Sequence, residues 1–101
     1  MSIVFTRSPK GIRTIVVRNL PPIDKNDIGN MLHTLLKIFE NCGNIDSMYI
    51  PRNLETSDSN YIMKGIAIIR FSDTISAEYA YNNTYHINKN KIMVEYAKKD
   101  R

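Results

Sequence analysis

Residue types able to do covalent chemistry are scattered in this chain. His33 and His86 are isolated, no carboxylate pair or Cys/His cluster has ligand spacing, and no glycine-rich loop is present to cradle a phosphate. General acid–base catalysis and metal binding need such groups at close spacing, so neither an enzyme nor a metal or cofactor site is expected. The only cysteine is Cys42, which excludes an internal disulfide, and its apolar helical position is that of a packing residue. The chain does have cations set into apolar runs: Arg18 behind Val16, Lys64 and Arg70 around Ile66 and Ile68, and Lys98 beyond Met93 and Glu95. Cations grouped on strands in this way could bind phosphates with a salt-sensitive affinity. The formal charge of +4 favours polyanions modestly.

The elements that must carry these residues follow from periodicity and punctuation. Residues 13–20 (RTIVVRNL) form a β-branched run stopped by Pro21-Pro22, which marks a first strand. Asp24 is placed to cap a helix reaching Asn41, with Ile28, Met31, Leu32, Leu35, Phe39 and Cys42 recurring at spacings of three and four until Gly43. A second strand is expected over residues 45–50 and a polar loop over 52–60. The run KGIAIIRF at 64–71 predicts the strongest strand. Asp73 opens a second helix in which Ala77, Ala80, Tyr81 and Thr84 share a face, and residues 91–97 (KIMVEYA) give the last strand. The order β-α-β-β-α-β predicts an α+β, ferredoxin-like sandwich with an antiparallel sheet carrying two helices on one face.

Two of these strands resemble named segments. Ile15-Val16-Val17-Arg18-Asn19-Leu20 is similar to the RNP2 segment of RNA-recognition motifs, and Lys64-Gly65-Ile66-Ala67-Ile68-Ile69-Arg70-Phe71 to their RNP1. The resemblance spans residues 13–99, read as the domain, with 1–12 as an N-terminal extension. It implies a four-stranded sheet that binds single-stranded RNA on its open face. Alternation places Ile15, Val17, Ala67, Ile69 and Phe71 toward the helices, and Val16, Arg18, Lys64, Ile66, Ile68 and Arg70 outward. Tyr49, Met93 and Glu95 join the outward set, with Lys98 past the last strand, and these ten residues are the expected RNA-binding site.

The sequence departs from the family's pattern at two places. Three outward positions that hold base-stacking rings in typical members hold Val16, Ile66 and Ile68 here, so RNA binding is expected to be weak. Tyr49 is the candidate substitute ring, its other reading being a half-buried strand tyrosine. The first helix is expected to run about two turns beyond the family's usual length. A long first helix and a ring-poor RNP1 resemble protein-binding variants, the U2AF-homology domains and the domain of the b subunit of eukaryotic initiation factor three. No Arg-x-Phe occurs over residues 85–91, where the former carry their ligand-gripping motif.

The resemblance therefore leaves two readings: an RNA-binding module within a ribonucleoprotein complex, in RNA processing or translation, and a protein-interaction module engaging a partner through the first helix. The apolar runs are far below the ~18 residues of a membrane span, and Met1 to Phe5 lacks a signal peptide's features, so an intracellular protein of nucleus or cytoplasm without membrane contact is expected. Ile3, Val4 and Phe5 form a short β-prone group expected either to fold back on the domain, competing with ligand or completing its surface, or to remain a tail.

Overall fold

The computed structural model describes residues 6–21, 23–51, 61–62 and 65–98, with the backbone alone at 23–25 and 61–62. The strands are β1 (Thr14–Arg18), β2 (Ile23–Asp24), β3 (Ile45–Tyr49), β4 (Tyr61–Ile62), β5 (Ala67–Phe71), β6 (Tyr85–Ile87) and β7 (Asn90–Tyr96). The helices are α1 (Ile28–Phe39) and α2 (Thr74–Tyr81). The main sheet has the order β3-β5-β1-β7-β6, each neighbour antiparallel, and β2 pairs separately with β4. This is the expected α+β sandwich, except that the sheet has five strands instead of four. The loop expected at 52–60 lies outside the described residues.

Alternation along the central strands builds the core. Ile15 and Val17 of β1 and Ala67, Ile69 and Phe71 of β5 are fully buried, against Leu35 and Phe39 of α1 and Ala77 and Ala80 of α2. The small alanine side chains, both fully buried, let α2 sit close to the sheet. Thr84 lies beyond the end of α2 and is exposed, so it is not part of that helix's inner face. Asp73 caps α2 as expected: its Oδ1 accepts from the Ser76 N–H at 2.8 Å and the Ser76 hydroxyl at 2.7 Å, which lowers the carboxyl's pKa.

The first helix begins later than the sequence indicates. Asp24 does not cap it, because the Asp24 backbone is spent in the ladder opposite Tyr61. Lys25–Asp27 then make a 3-10 turn, Asp27 takes the cap position without a side-chain bond, and a second 3-10 turn, Glu40–Cys42, follows Phe39. The expected long helix is thus 12 α-helical residues flanked by tighter turns. Its inner stripe of Ile28, Met31, Leu32 and Cys42 packs around buried Leu35 and Phe39 as expected, with Ile38 joining it from the flank, while Leu36 is exposed and His33 faces solvent. No helix among the described residues is long and apolar enough to cross a membrane.

Two glycines are required by close approach. At Gly43 (φ 151°) a Cβ would overlap the Ser76 side chain, and at Gly65 (φ 54°) it would stand 2.6 Å from the Leu20 carbonyl oxygen. Leu20 N–H in turn donates to the Gly65 carbonyl at 3.0 Å, holding the end of β1 against the start of β5. Gly29, inside α1, has open space where a Cβ would go. Substitution should therefore act in opposite directions at two sites. Gly65→Ala is expected to lower unfolding free energy by about 1–3 kcal/mol, and Gly29→Ala to raise it by about 0.5–1 kcal/mol. Urea denaturation of both variants checks this; equal signs would show that the close approach at Gly65 is not maintained.

Candidate nucleic-acid interface

The ladder register sets Tyr49, Ile68, Val16 and Glu95 in one row across four strands, all on the face away from the helices. Arg18 and Met93 form the next row on one side, with Ile66 beyond Ile68; Arg70, opposite Thr14 and Ser47, lies on the other side. Val16, Ile66 and Ile68 are half-buried, whereas Tyr49 is 41% and Met93 51% exposed. The fold thus brings together Val16, Arg18, Tyr49, Ile66, Ile68, Arg70, Met93 and Glu95, and Lys98 stands exposed just past β7. Lys64 lies outside the described residues.

The cationic fringe is charge-balanced. Arg18 Nε lies 3.2 Å from Glu95 Oε2. Arg70 turns Nε (2.9 Å) and Nη2 (2.6 Å) onto the same oxygen, Asp46 Oδ2. A register shift between Ile45 and Ser47 inserts Asp46 as an extra residue opposite β5, so both Asp46 and Ser47 are exposed beside Arg70. Exposed pairs of this kind contribute ~0–1 kcal/mol to stability; their larger effect is to fix where the guanidinium groups sit and to cancel their charge.

The fifth strand enlarges this face. Asn88 (φ 50°) and Lys89 (φ 72°) form a two-residue turn between β6 and β7, and the hairpin pairs Tyr85 with Ile92 and His86 with Lys91. Ile92 is buried, so His86 and Lys91 point outward, both exposed. Sequence reasoning missed the strand because Asn-Lys is a weak form of the Asn-Gly signal that marks such turns.

The helix side carries a groove of about 670 Å³ between α1 and α2, lined by Lys37, Ile38, Cys42, Tyr79, Asn83 and Tyr85 among others. Cys42 Sγ and Tyr85 Oη are 3.2 Å apart, and burial pushes both pKa values up, so both groups stay protonated near neutral pH. Among the described residues no three His, Cys, Asp or Glu gather as a metal ion would require.

With this geometry in view, the family model for the RNA recognition motif matches residues 15–93. The chain belongs to the RNA recognition motif family. Its fold is similar to the Rna15 RRM (TM-score 0.66, 17% identity, 86% of this chain and 91% of that one). It is likewise similar to the Rna15 RRM with bound RNA (GU), at TM-score 0.65 and 17% identity over 87% of this chain and 85% of that one. An Sxl-lethal protein/RNA complex matches at TM-score 0.64 and 20% identity, over 86% of this chain and 47% of that one. No curated protein matches the sequence.

In this RNA recognition motif Thr6 and Ser8 are fastened to the helix side. Thr6 N–H donates to Asn82 Oδ1 and Asn82 Nδ2 returns a bond to the Thr6 carbonyl, both at 2.8 Å. The Tyr96 hydroxyl donates to the same carbonyl at 3.1 Å, and Ser8 N–H to Glu78 Oε2 at 2.9 Å. Tyr96 also stacks on Tyr81, ring centroids 4.3 Å apart. Residues 3–5, expected either to fold back on the domain or to remain a tail, lie outside the described residues; Thr6 itself is held on the face opposite Val16 and Ile68.

Burial, with the Glu78 carboxylate nearby, pushes the Tyr96 phenol up to about 12. The raised value means the folded state holds the phenolic proton more tightly than the unfolded chain. That contribution is complete below the ordinary value of 10 and is lost as pH rises from there toward 12. Thermal melts across this window should fall less steeply for Tyr96→Phe than for the parent chain, although the variant loses its Thr6 bond at neutral pH. Equal slopes would mean that Tyr96 is not held protonated by the fold.

Proposed function

We propose that this domain is an RNA-binding module that takes single-stranded RNA on the open face of its sheet and acts within a ribonucleoprotein complex, in RNA processing or translation, in the nucleus or cytoplasm. The observation that carries this reading is the continuous outward row Tyr49, Ile68 and Val16. Tyr49 supplies one stacking ring, worth ~1–3 kcal/mol per base by alanine substitution, and the aliphatic side chains supply dispersion contact without a π face. Binding on this face is accordingly weak. Arg18 and Arg70, anchored by Glu95 and Asp46, offer guanidinium planes beside the row, a second kind of surface on which bases stack. The carboxylates facing the ligand accept hydrogen bonds from base amino groups. The Rna15 RRM, which shares the fold, has been solved with bound RNA (GU), which supports RNA as the ligand here.

A protein partner is the second reading, favoured by one specific feature: Tyr79 lines the groove between α1 and α2 and stays 51% exposed, and Leu36 of α1 and Ile75 of α2 are 37% and 62% exposed. The two readings separate under mutation. Ile68→Asp should lower the melt while leaving the fold intact at room temperature, and should weaken binding of a short single-stranded RNA at least ~10-fold, by placing an unpaired carboxylate in the row. Tyr49→Ala should cost ~5- to 100-fold. Fluorescence anisotropy reads both; RNA affinity unchanged in both variants would remove the sheet face from RNA binding and leave the groove as the ligand site.

A further inference from the structure

The chain carries a net charge of +4, yet the arginines at the centre of the open face are matched by carboxylates on neighbouring strands. A phosphate approaching Arg18 or Arg70 meets Glu95 or Asp46 at the same moment. The β6–β7 hairpin differs. From Tyr85 to Val94 the sequence contains no acidic residue, and within it Lys89 and Lys91 are exposed. Lys91, Met93 and Glu95 alternate with inward Ile92 and Val94, so the Lys91 side chain rises from the open face, roughly 7 Å along the strand from Met93. Met93 itself is paired with Arg18.

The hairpin is also held in place. Asn19, in left-handed geometry (φ 67°) where β1 ends, donates from Nδ2 to the Lys91 carbonyl at 2.8 Å. This bond ties the β7 arm of the hairpin, close to its tip, to the end of β1 beside Arg18. Lys89 sits at the tip in the second left-handed position of the turn, and His86 stands across the ladder from Lys91.

We propose that this hairpin is the phosphate-binding element of the face: Lys89 and Lys91, with His86 alongside, hold the backbone of a single-stranded RNA whose bases lie inward over Val16, Ile68 and Tyr49. The inference rests on the reading that the open face binds RNA, and it assigns salt dependence and base contact to different strands. Phosphate neutralisation releases counterions only where a cation is not already matched, so the dependence of affinity on salt belongs to the lysines and not to the arginines.

The test uses the whole chain and a short fluorescein-labelled oligouridylate, with anisotropy titrations across a series of KCl concentrations. Lys91→Gln and Lys89→Asn, the latter chosen because asparagine tolerates the left-handed backbone, should each reduce the slope of log affinity against log salt by about 0.7. Lys91→Arg should restore the parent slope. The charge-conserving double variant Arg18→Gln/Glu95→Gln should lower affinity and leave the slope as it was. An unchanged slope in the lysine variants, with RNA still bound and Ile68→Asp still defective, overturns the hairpin assignment alone. Absence of RNA binding by the parent chain, or full binding by Ile68→Asp, overturns the sheet-face reading and the hairpin assignment with it.

Discussion

The pairing of β1 with β5 cannot slip by one residue. Their alternation is absolute on one side: Ile15, Val17, Ala67, Ile69 and Phe71 are fully buried, while Val16, Arg18, Ile68 and Arg70 between them are not. A one-residue shift would exchange the two sets. Exposing a large buried side chain costs about 1.5–3 kcal/mol, so losing several together would consume most of the 5–15 kcal/mol by which a domain is stable. The helices enforce this register through Leu35, Phe39, Ala77 and Ala80, and the Leu20 to Gly65 hydrogen bond fixes it at the strand ends. The composition of the open face follows, because whatever the core does not take must face outward in a set order.

That dependence explains which features were legible in the sequence. The inward and outward sets of β1 and β5 could be read residue by residue, since a period of two needs no information from elsewhere in the chain. The cap of α2 was equally local, with Asp73 and Ser76 three positions apart. The start of α1 was not local. Asp24 has the composition of a cap, but its backbone is engaged by Tyr61, a partner distant in sequence. The β6 strand has three residues and a turn whose left-handed positions are filled by Asn88 and Lys89, so composition barely distinguishes it from a loop.

The ion pairs were hidden for a different reason. Glu95 was readable as sharing the face of Arg18, but the distance between them follows from the Arg18 to Met93 register, which sets Glu95 diagonally across from the arginine. Asp46 reaches Arg70 because the bulge places two β3 residues opposite one on β5. Counting cations on strands therefore overstates the field a ligand meets. Among the described residues the arginines at the centre of the face are matched by Glu95 and Asp46, and Lys91 and Lys89 stand exposed toward the β6–β7 edge.

The sheet also separates two surfaces. On one side are the Tyr49, Ile68 and Val16 row and the arginines; on the other are the groove between α1 and α2 and the attachment of Thr6 to Asn82 and Tyr96. The buried residues between them form one continuous core with no side chain shared by both surfaces. Occupation of the groove thus does not need the outward row, and a nucleic acid on the row does not displace the Thr6 attachment. The nearest physical link is β7, whose Tyr96 faces the helix side and whose Glu95, one residue earlier, faces the row. Because adjacent residues of a strand point to opposite faces, a shift of β7 along β1 would disturb the Thr6 bond and the Arg18 pair together. That shared register is one physical link between the two surfaces, and it is carried by the β7 backbone.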